Sequence, residues 1–186
     1  VTAYSAVQSE VGNIYVEPLS GGSGSMTSET PVLWKSANDL SFEVPMTVSG
    51  TGSLTFQADS DEDGAGTVSF SSGSGVTVLD STVQQVFITA ADVILASDLK
   101  AKDANVTVQP SNQTLAKMSV GANHGGLHLS DAELDRITTT SSLTLGSLQT
   151  DEININGASH ADTPKDVFIV SMDKVNFRGS ASSFST

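Results

Sequence analysis

The chain is 186 residues long, carries 21 acidic side chains against eight lysines and arginines for a formal charge of −13, and has no cysteine. Nucleic-acid binding needs cations to displace the counterions of phosphate, so this balance argues against nucleic acid and against anionic membrane surfaces. Without thiols there are neither disulfides nor thiolate metal sites, and no apolar run nears the ~20 residues that span a bilayer.

Val1 opens the chain without Met or a signal-type apolar segment, which suits a processed secreted protein or an excised segment. A strand-like stretch surrounds Ile14-Tyr15-Val16, and the Gly/Ser/Thr tract from Ser20 to Thr30 has no periodicity and reads as a loop. Residues 1–37 together read as an irregular N-terminal capping or docking region. Leu40-Ser41-Phe42-Glu43-Val44 then alternates, and Pro45 confines its ladder to an edge or a bend.

From Leu54 onward the chain beats in short triplets of the form large-small-large: Leu54-Thr55-Phe56, Val68-Ser69-Phe70, Val76-Thr77-Val78, Val106-Thr107-Val108, Leu127-His128-Leu129, Leu143-Thr144-Leu145 and Ile153-Asn154-Ile155. Period two puts the outer residues of each triplet on one face of a strand and the middle one on the other. Strands this short need neighbours to stack on, so their repetition predicts an all-β solenoid or sandwich. Leu54 to Val76 spans 22 residues and Val106 to Leu127 spans 21, which reads as coils of about 20–25 residues. Hairpin dipeptides are confined to Asp63-Gly64 and Asn156-Gly157. That scarcity favours a right-handed parallel β-helix over residues 38–186, with a β-sandwich as the alternative. Ser130-Asp131-Ala132-Glu133 predicts one short helical turn with a capping box, with Leu134 and Ile137 facing the core.

Asp59-Ser60-Asp61-Glu62-Asp63-Gly64 is the sharpest chemical motif, because carboxylates at alternate positions before a glycine suit a hard cation. Asp59, Asp61 and Asp63 are therefore the candidate calcium ligands, although Phe70 at the twelfth position excludes a true EF-hand. A solvated acidic turn is the bland alternative. Asn105-Val106-Thr107 and Asn112-Gln113-Thr114 are sequons, so Asn105 and Asn112 are candidate glycosylation sites in a eukaryotic secretory host. His124, His128 and His160 show no metal-ligand spacing. Asp151-Glu152, and Asp162 with Asp166, are acid pairs without a distinguishing context, and no catalytic residues are assigned. Charge is uneven: residues 1–99 hold twelve acids and only Lys35, while residues 100–186 hold nine acids and seven bases.

The run from Gly126 through Leu127-His128-Leu129-Ser130-Asp131-Ala132-Glu133-Leu134-Asp135-Arg136-Ile137 to Leu143-Thr144-Leu145-Gly146 resembles repeat units of giant secreted β-helical adhesins of the filamentous haemagglutinin type. The stretches Gly52 to Phe56 and Gly64 to Val68 are similar to other coils of these proteins. The resemblance covers residues 38–160, is one of style, and departs from the family in the first 37 residues and in coil length. It implies an extracellular structural or adhesive role without enzymatic activity, with copies of the chain or other extracellular proteins and glycans as partners. Two alternatives come from other classes. One is a calcium-stabilised carbohydrate-binding module stacking sugar on Trp34, Tyr4 or Tyr15; the other is a polysaccharide lyase-like β-helix, which needs an Asp cluster with calcium and a basic residue, whereas Arg136 and Arg178 lie far in sequence from Asp59–Asp63.

Overall fold

The structure is a computed structural model that describes residues 5–18, 24–30, 32–79, 81–111, 116–160, 166–179 and 181–184. Its strands succeed one another in layers. The first layer is β1 (Ser5–Ser9), β2 (Ile14–Val16) and β3 (Met26–Ser28), and the second is β4 (Val32–Ser36), β5 (Leu40–Phe42) and β6 (Met46–Val48). The third holds β7 (Gly52–Gln57), β8 (Thr67–Phe70) and β9 (Val76–Val78), and the fourth β10 (Val83–Ala90), β11 (Asp92–Leu95) and β12 (Leu99–Lys100). The fifth is longer, with β13 (Asn105–Pro110), β14 (Ala116–Gly121), β15 (Leu127–Leu129), α1 (Asp131–Leu134) and β16 (Ile137–Thr138). Next come β17 (Ser142–Gly146), β18 (Thr150–Asn156) and β19 (Ser159–His160), and finally β20 (Asp166–Val170), β21 (Lys174–Phe177) and β22 (Ser183–Phe184).

Each layer adds one strand to each of several sheets. The leading strands β1, β4, β7, β10, β13, β17 and β20 form a seven-stranded sheet, β2, β5, β8 and β11 a second, and β3, β6, β9, β12 and β16 a third. A fourth sheet orders β15, β14, β18 and β21, and β19 pairs with β22. Every ladder among the described residues is parallel, so the antiparallel ladders of a β-sandwich are not found there. No helix is long and apolar enough to cross a membrane.

The expected coil length is corrected by the register. Leu54 pairs with Val86, not with Val76, and Val106 pairs with Leu143, not with Leu127. Leu54, Val68 and Val76 stand on three successive strands in three different sheets. On the seven-stranded sheet the repeat therefore runs from 20 residues, Val86 to Val106, up to 37, Val106 to Leu143. Loops and, in the fifth layer, the added β15 and α1 absorb the difference, because only the inward columns must stay aligned. The Ser20–Thr30 tract, expected as loop, contains β3, where Met26 lies in register with Met46 and packs on the core.

The columns explain the alternation. Leu54, Val86, Val106 and Leu143 stack inward on the seven-stranded sheet, as do Phe56, Ile88, Val108 and Leu145, all fully buried. Removing such side chains from water at roughly 25 cal/mol per Å² is what holds layers this short together. In the first half the core is aromatic: Phe42 meets Trp34, Phe56 and Phe70 at centroid distances of 5.2, 5.4 and 5.1 Å. The capping box forms as expected, Ser130 Oγ accepting from Glu133 N–H at 3.4 Å while Glu133 Oε2 accepts from Ser130 N–H at 3.0 Å. Leu134 and Ile137 are buried.

The fifth layer contains a parallel return made in very few residues, with Met118 in register with Leu127. Parallel neighbours usually need a crossover of about a dozen residues or more. Here Gly126 makes the turn with φ +74, pressed so close to the Lys117 carbonyl that a Cβ would lie 2.1 Å from its oxygen. The return seats β15 between β14 and β11, where His128 N–H donates to Asp92 Oδ1 at 3.1 Å.

Candidate functional site

The aspartate loop joins β7 to β8. A carboxylate oxygen from each of Asp59, Asp61 and Asp63 lies within 4.8 Å of the others. The three are not equivalent. Asp59 is fully buried in a left-handed conformation, φ +54, and its carboxylate is already engaged. Gly64 N–H donates to both of its oxygens at 3.1 and 3.2 Å, and Ser111 Oγ, from the end of β13, donates to Oδ2 at 2.5 Å. Gly66 packs against the Asp59 backbone so tightly that a Cβ would lie 2.3 Å from the Asp59 nitrogen. Asp61 and Asp63 are exposed, and Asp63 Oδ1 accepts from Ala65 N–H at 2.9 Å. Asp59 is thus a structural carboxylate first, tying the loop of the third layer across the fourth to the end of β13 in the fifth. Its free lone pairs and the two exposed acids make an all-oxygen donor set of the kind hard divalent cations take.

A second cluster, on the outward face of the fourth sheet, was not legible in the sequence. Lys117, Glu152 and Lys174 lie in register on β14, β18 and β21, and Ser119, Asn154 and Asn176 form the adjoining row. Lys117 Nζ and Lys174 Nζ stand 3.6 and 3.7 Å from Glu152 Oε2, and Arg178 Nη2 stands 3.4 Å from Oε1. Asn176 Nδ2 donates to Glu152 Oε1 at 2.8 Å, and Arg178 Nε donates to Asn154 Oδ1 at 2.6 Å. Burial acts to raise the Glu152 carboxyl, but the hydrogen bond involving Asn154 and the charges of Lys174, Lys117 and Arg178 outweigh it and hold the carboxyl below its ordinary range. Lys174 Nζ also lies 4.0 Å from Asp173 Oδ2, so three cations face two acids across the patch.

The remaining sequence candidates separate. Asn105 is exposed at the start of β13, its Oδ1 accepting from Ser141 and Ser142 at 2.6 and 2.7 Å. Asn112, Tyr4 and Asp162 lie outside the described residues. Trp34 is 6% exposed and faces the core, so of the three aromatic residues offered for stacking on a sugar this one is not available. Tyr15 is exposed, and its hydroxyl accepts from Asn13 Nδ2 at 2.6 Å. Arg136 Nη1 donates to the Leu95 carbonyl at 2.6 Å and so ties the segment after α1 to β11. The histidines show a pairing that spacing did not reveal: buried His160 sets Nδ1 3.5 Å from Asp135 Oδ1, 25 residues away. His128 Nε2 lies 2.7 Å from the Gly121 carbonyl, and His124 Nε2 lies 2.9 Å from Asn156 Nδ2.

No protein-family model, no curated protein and no solved structure matches the chain. The likeness to haemagglutinin-type repeats accordingly rests on its own residues alone.

Proposed function

We propose that the chain winds as a right-handed parallel β-helix and serves as a stiff, non-enzymatic segment of an extracellular or cell-surface structural protein, a fibre, filament or adhesin. The observation that carries this reading is the repeated parallel pairing of each leading strand with that of the next layer, from β1 through to β20. Parallel crossovers within one sheet are right-handed in about 98% of cases, which supplies the hand. A stack of this kind lengthens by about 4.8 Å per layer and bends little, because each layer is bonded and packed to the next. The engaged charged side chains support a structural role, since Asp59, Glu152 and Arg136 each join one layer to another.

The first and last layers would meet partners. Val11 and Tyr15 at one end, and Val175 and Phe177 at the other, are exposed apolar side chains beside strands whose outer edge pairs with no further strand among the described residues. Such edges accept further strands, from copies of the chain or from other extracellular proteins. In this reading Asp59, Asp61 and Asp63 would hold calcium as a clip on the β7–β8 loop, and Asn105 would carry a glycan in a eukaryotic secretory host. Two measurements test the proposal. Pulling the chain by its ends in a force microscope is expected to lengthen it in steps of 20 to 37 residues as layers peel; a single collapse without steps contradicts it. Immunolabelling of intact source cells is expected to mark their outer surface, and label found only inside opened cells overturns the extracellular role.

A further inference from the structure

Apolar exposure concentrates at the two ends of the stack. Of the ten large apolar side chains exposed among the described residues, three lie in the first layer and four in the last. Several of them are core positions left uncovered. Val175 and Phe177 stand in register with buried Ile153 and Ile155, yet are 37% and 69% exposed. Val7 continues the column of buried Trp34 and is 39% exposed. Half-buried Ile14 and Val16 continue the columns of Leu40 and Phe42, and half-buried Val167 and Ile169 those of Leu143 and Leu145. A stack of repeats that stands alone needs a polar outer face on its terminal repeats to stay soluble. Neither end shows one: these columns stay apolar up to the outermost described strands, and the one helix among the described residues, α1, lies in the fifth layer.

The two ends fit each other. The last layer offers β20, β21 and β22, strands of five, four and two residues, and the first offers β1, β2 and β3, of five, three and three. In the winding proposed above, a copy set by its first layer on the last layer of another continues every strand direction, so the new ladders are parallel like those within the chain. Two like ends set face to face would run their strands antiparallel. Charge selects the same arrangement. No lysine or arginine precedes Lys35, while Glu10, Glu17 and Glu29 are all exposed, so two first layers repel each other. The last layer carries exposed Lys174 and Arg178. Laying Val175 and Phe177 over Ile14 and Val16, apolar on apolar at the same spacing of two, sets Arg178 beside Glu17 on the outward face. We propose that the last layer of one chain binds the first layer of a second copy, head to tail, with β20 and β21 pairing to the copy's β1 and β2. The contact joins two different surfaces and does not close, so it builds a filament. The inference rests on the proposed winding and names the surfaces through which copies meet.

The test is sedimentation velocity of the 186-residue chain over a concentration series, with electron microscopy of the same samples. Growth past the dimer into thin, unbranched rods is expected. Val7→Asp, which blocks the first layer, and Phe177→Asp, which blocks the last, are each expected to stay monomeric. Mixed in equal amounts, they are expected to form a one-to-one dimer and nothing longer, since one intact end of each kind remains. Phe177 is mostly exposed, so its variant is expected to keep the circular dichroism of the parent. Glu17→Arg, at an exposed position, is expected to weaken association about three-fold and decides the first layer if Val7→Asp does not fold. A parent that stays monomeric or stops at the dimer, a variant that assembles like the parent, or a mixture of the two folded variants that stays monomeric overturns the proposal. Force steps and distances within one chain measure the winding itself, so a wound chain that does not assemble sinks this inference alone.

Discussion

Replacing Phe42 by alanine probes the packing on which the layered stack depends. Phe42 is fully buried on β5 and touches rings from three other strands, Trp34 on β4, Phe56 on β7 and Phe70 on β8, at 5.1 to 5.4 Å. Phe→Ala substitutions in closed cores cost about 3–5 kcal/mol through lost transfer energy and the cavity left behind. Two of the three contacts are edge-on and one is stacked, the geometries in which aromatic pairs add about 0.5–1.5 kcal/mol beyond area alone, so the upper half of the range applies. For a chain of this size that is a fall of roughly 8–20 °C in melting temperature. Trp34 is the only tryptophan, and its near-ultraviolet dichroism and fluorescence report on the same cluster. Phe168→Ala, on the half-exposed outward face, is the control and is expected to shift stability by no more than about 0.5 kcal/mol. A loss under about 2 kcal/mol for Phe42→Ala, or equal losses for the two variants, would refute the packing argument.

Three further outcomes concern the aspartate loop and the charged ladder. Gly66→Ala forces a Cβ to within 2.3 Å of the Asp59 nitrogen and is expected to cost about 1–3 kcal/mol, read from urea unfolding, as overpacked sites do. Glu152 has a lowered carboxyl pKa in the folded chain, so its stabilising contribution is whole above the ordinary carboxylate value and is lost as the pH falls through the folded one. Glu152→Gln is therefore expected to melt below the parent at pH 7, with a gap that closes in acid; a gap independent of pH contradicts this. If the aspartate loop takes calcium, excess calcium raises the melting temperature, by about 2.7 kcal/mol of stability at a hundred times the dissociation constant. Asp61→Asn with Asp63→Asn, which spares buried Asp59, is expected to abolish the rise, and an equal rise in parent and variant assigns the ion elsewhere.

What could be read from the sequence was what depends on neighbours a few residues apart. Leu-Thr-Phe and Val-Thr-Val triplets reveal which side chains point inward, and Ser130 with Glu133 reveals the helical turn, because both signals are local. Coil length failed for a physical reason. Similar triplets nearest in sequence, such as Leu54 and Val76, sit on different sheets of one layer, whereas the true partner Val86 lies beyond two further loops. The Glu152 ladder was hidden for the same reason, since Lys117 and Lys174 reach Glu152 only through strand register. Asp59 read as one of three equivalent candidate calcium ligands, with a solvated acidic turn as the alternative. Its burial depends on Ser111, 52 residues on, which no spacing rule connects to it.

The central claim is that layers stack in register, so that distance along the molecule counts layers and not residues. Nitroxide labels at Leu33 paired in turn with Thr107, Thr144 and Phe168 test this by pulsed dipolar spectroscopy. The sequence separations are 74, 111 and 135 residues, but the positions lie three, four and five strands from Leu33. Backbone separations of about 14, 19 and 24 Å are expected, rising by one strand spacing at each step. A Leu33–Phe168 distance equal to or shorter than that from Leu33 to Thr107 would contradict the stack.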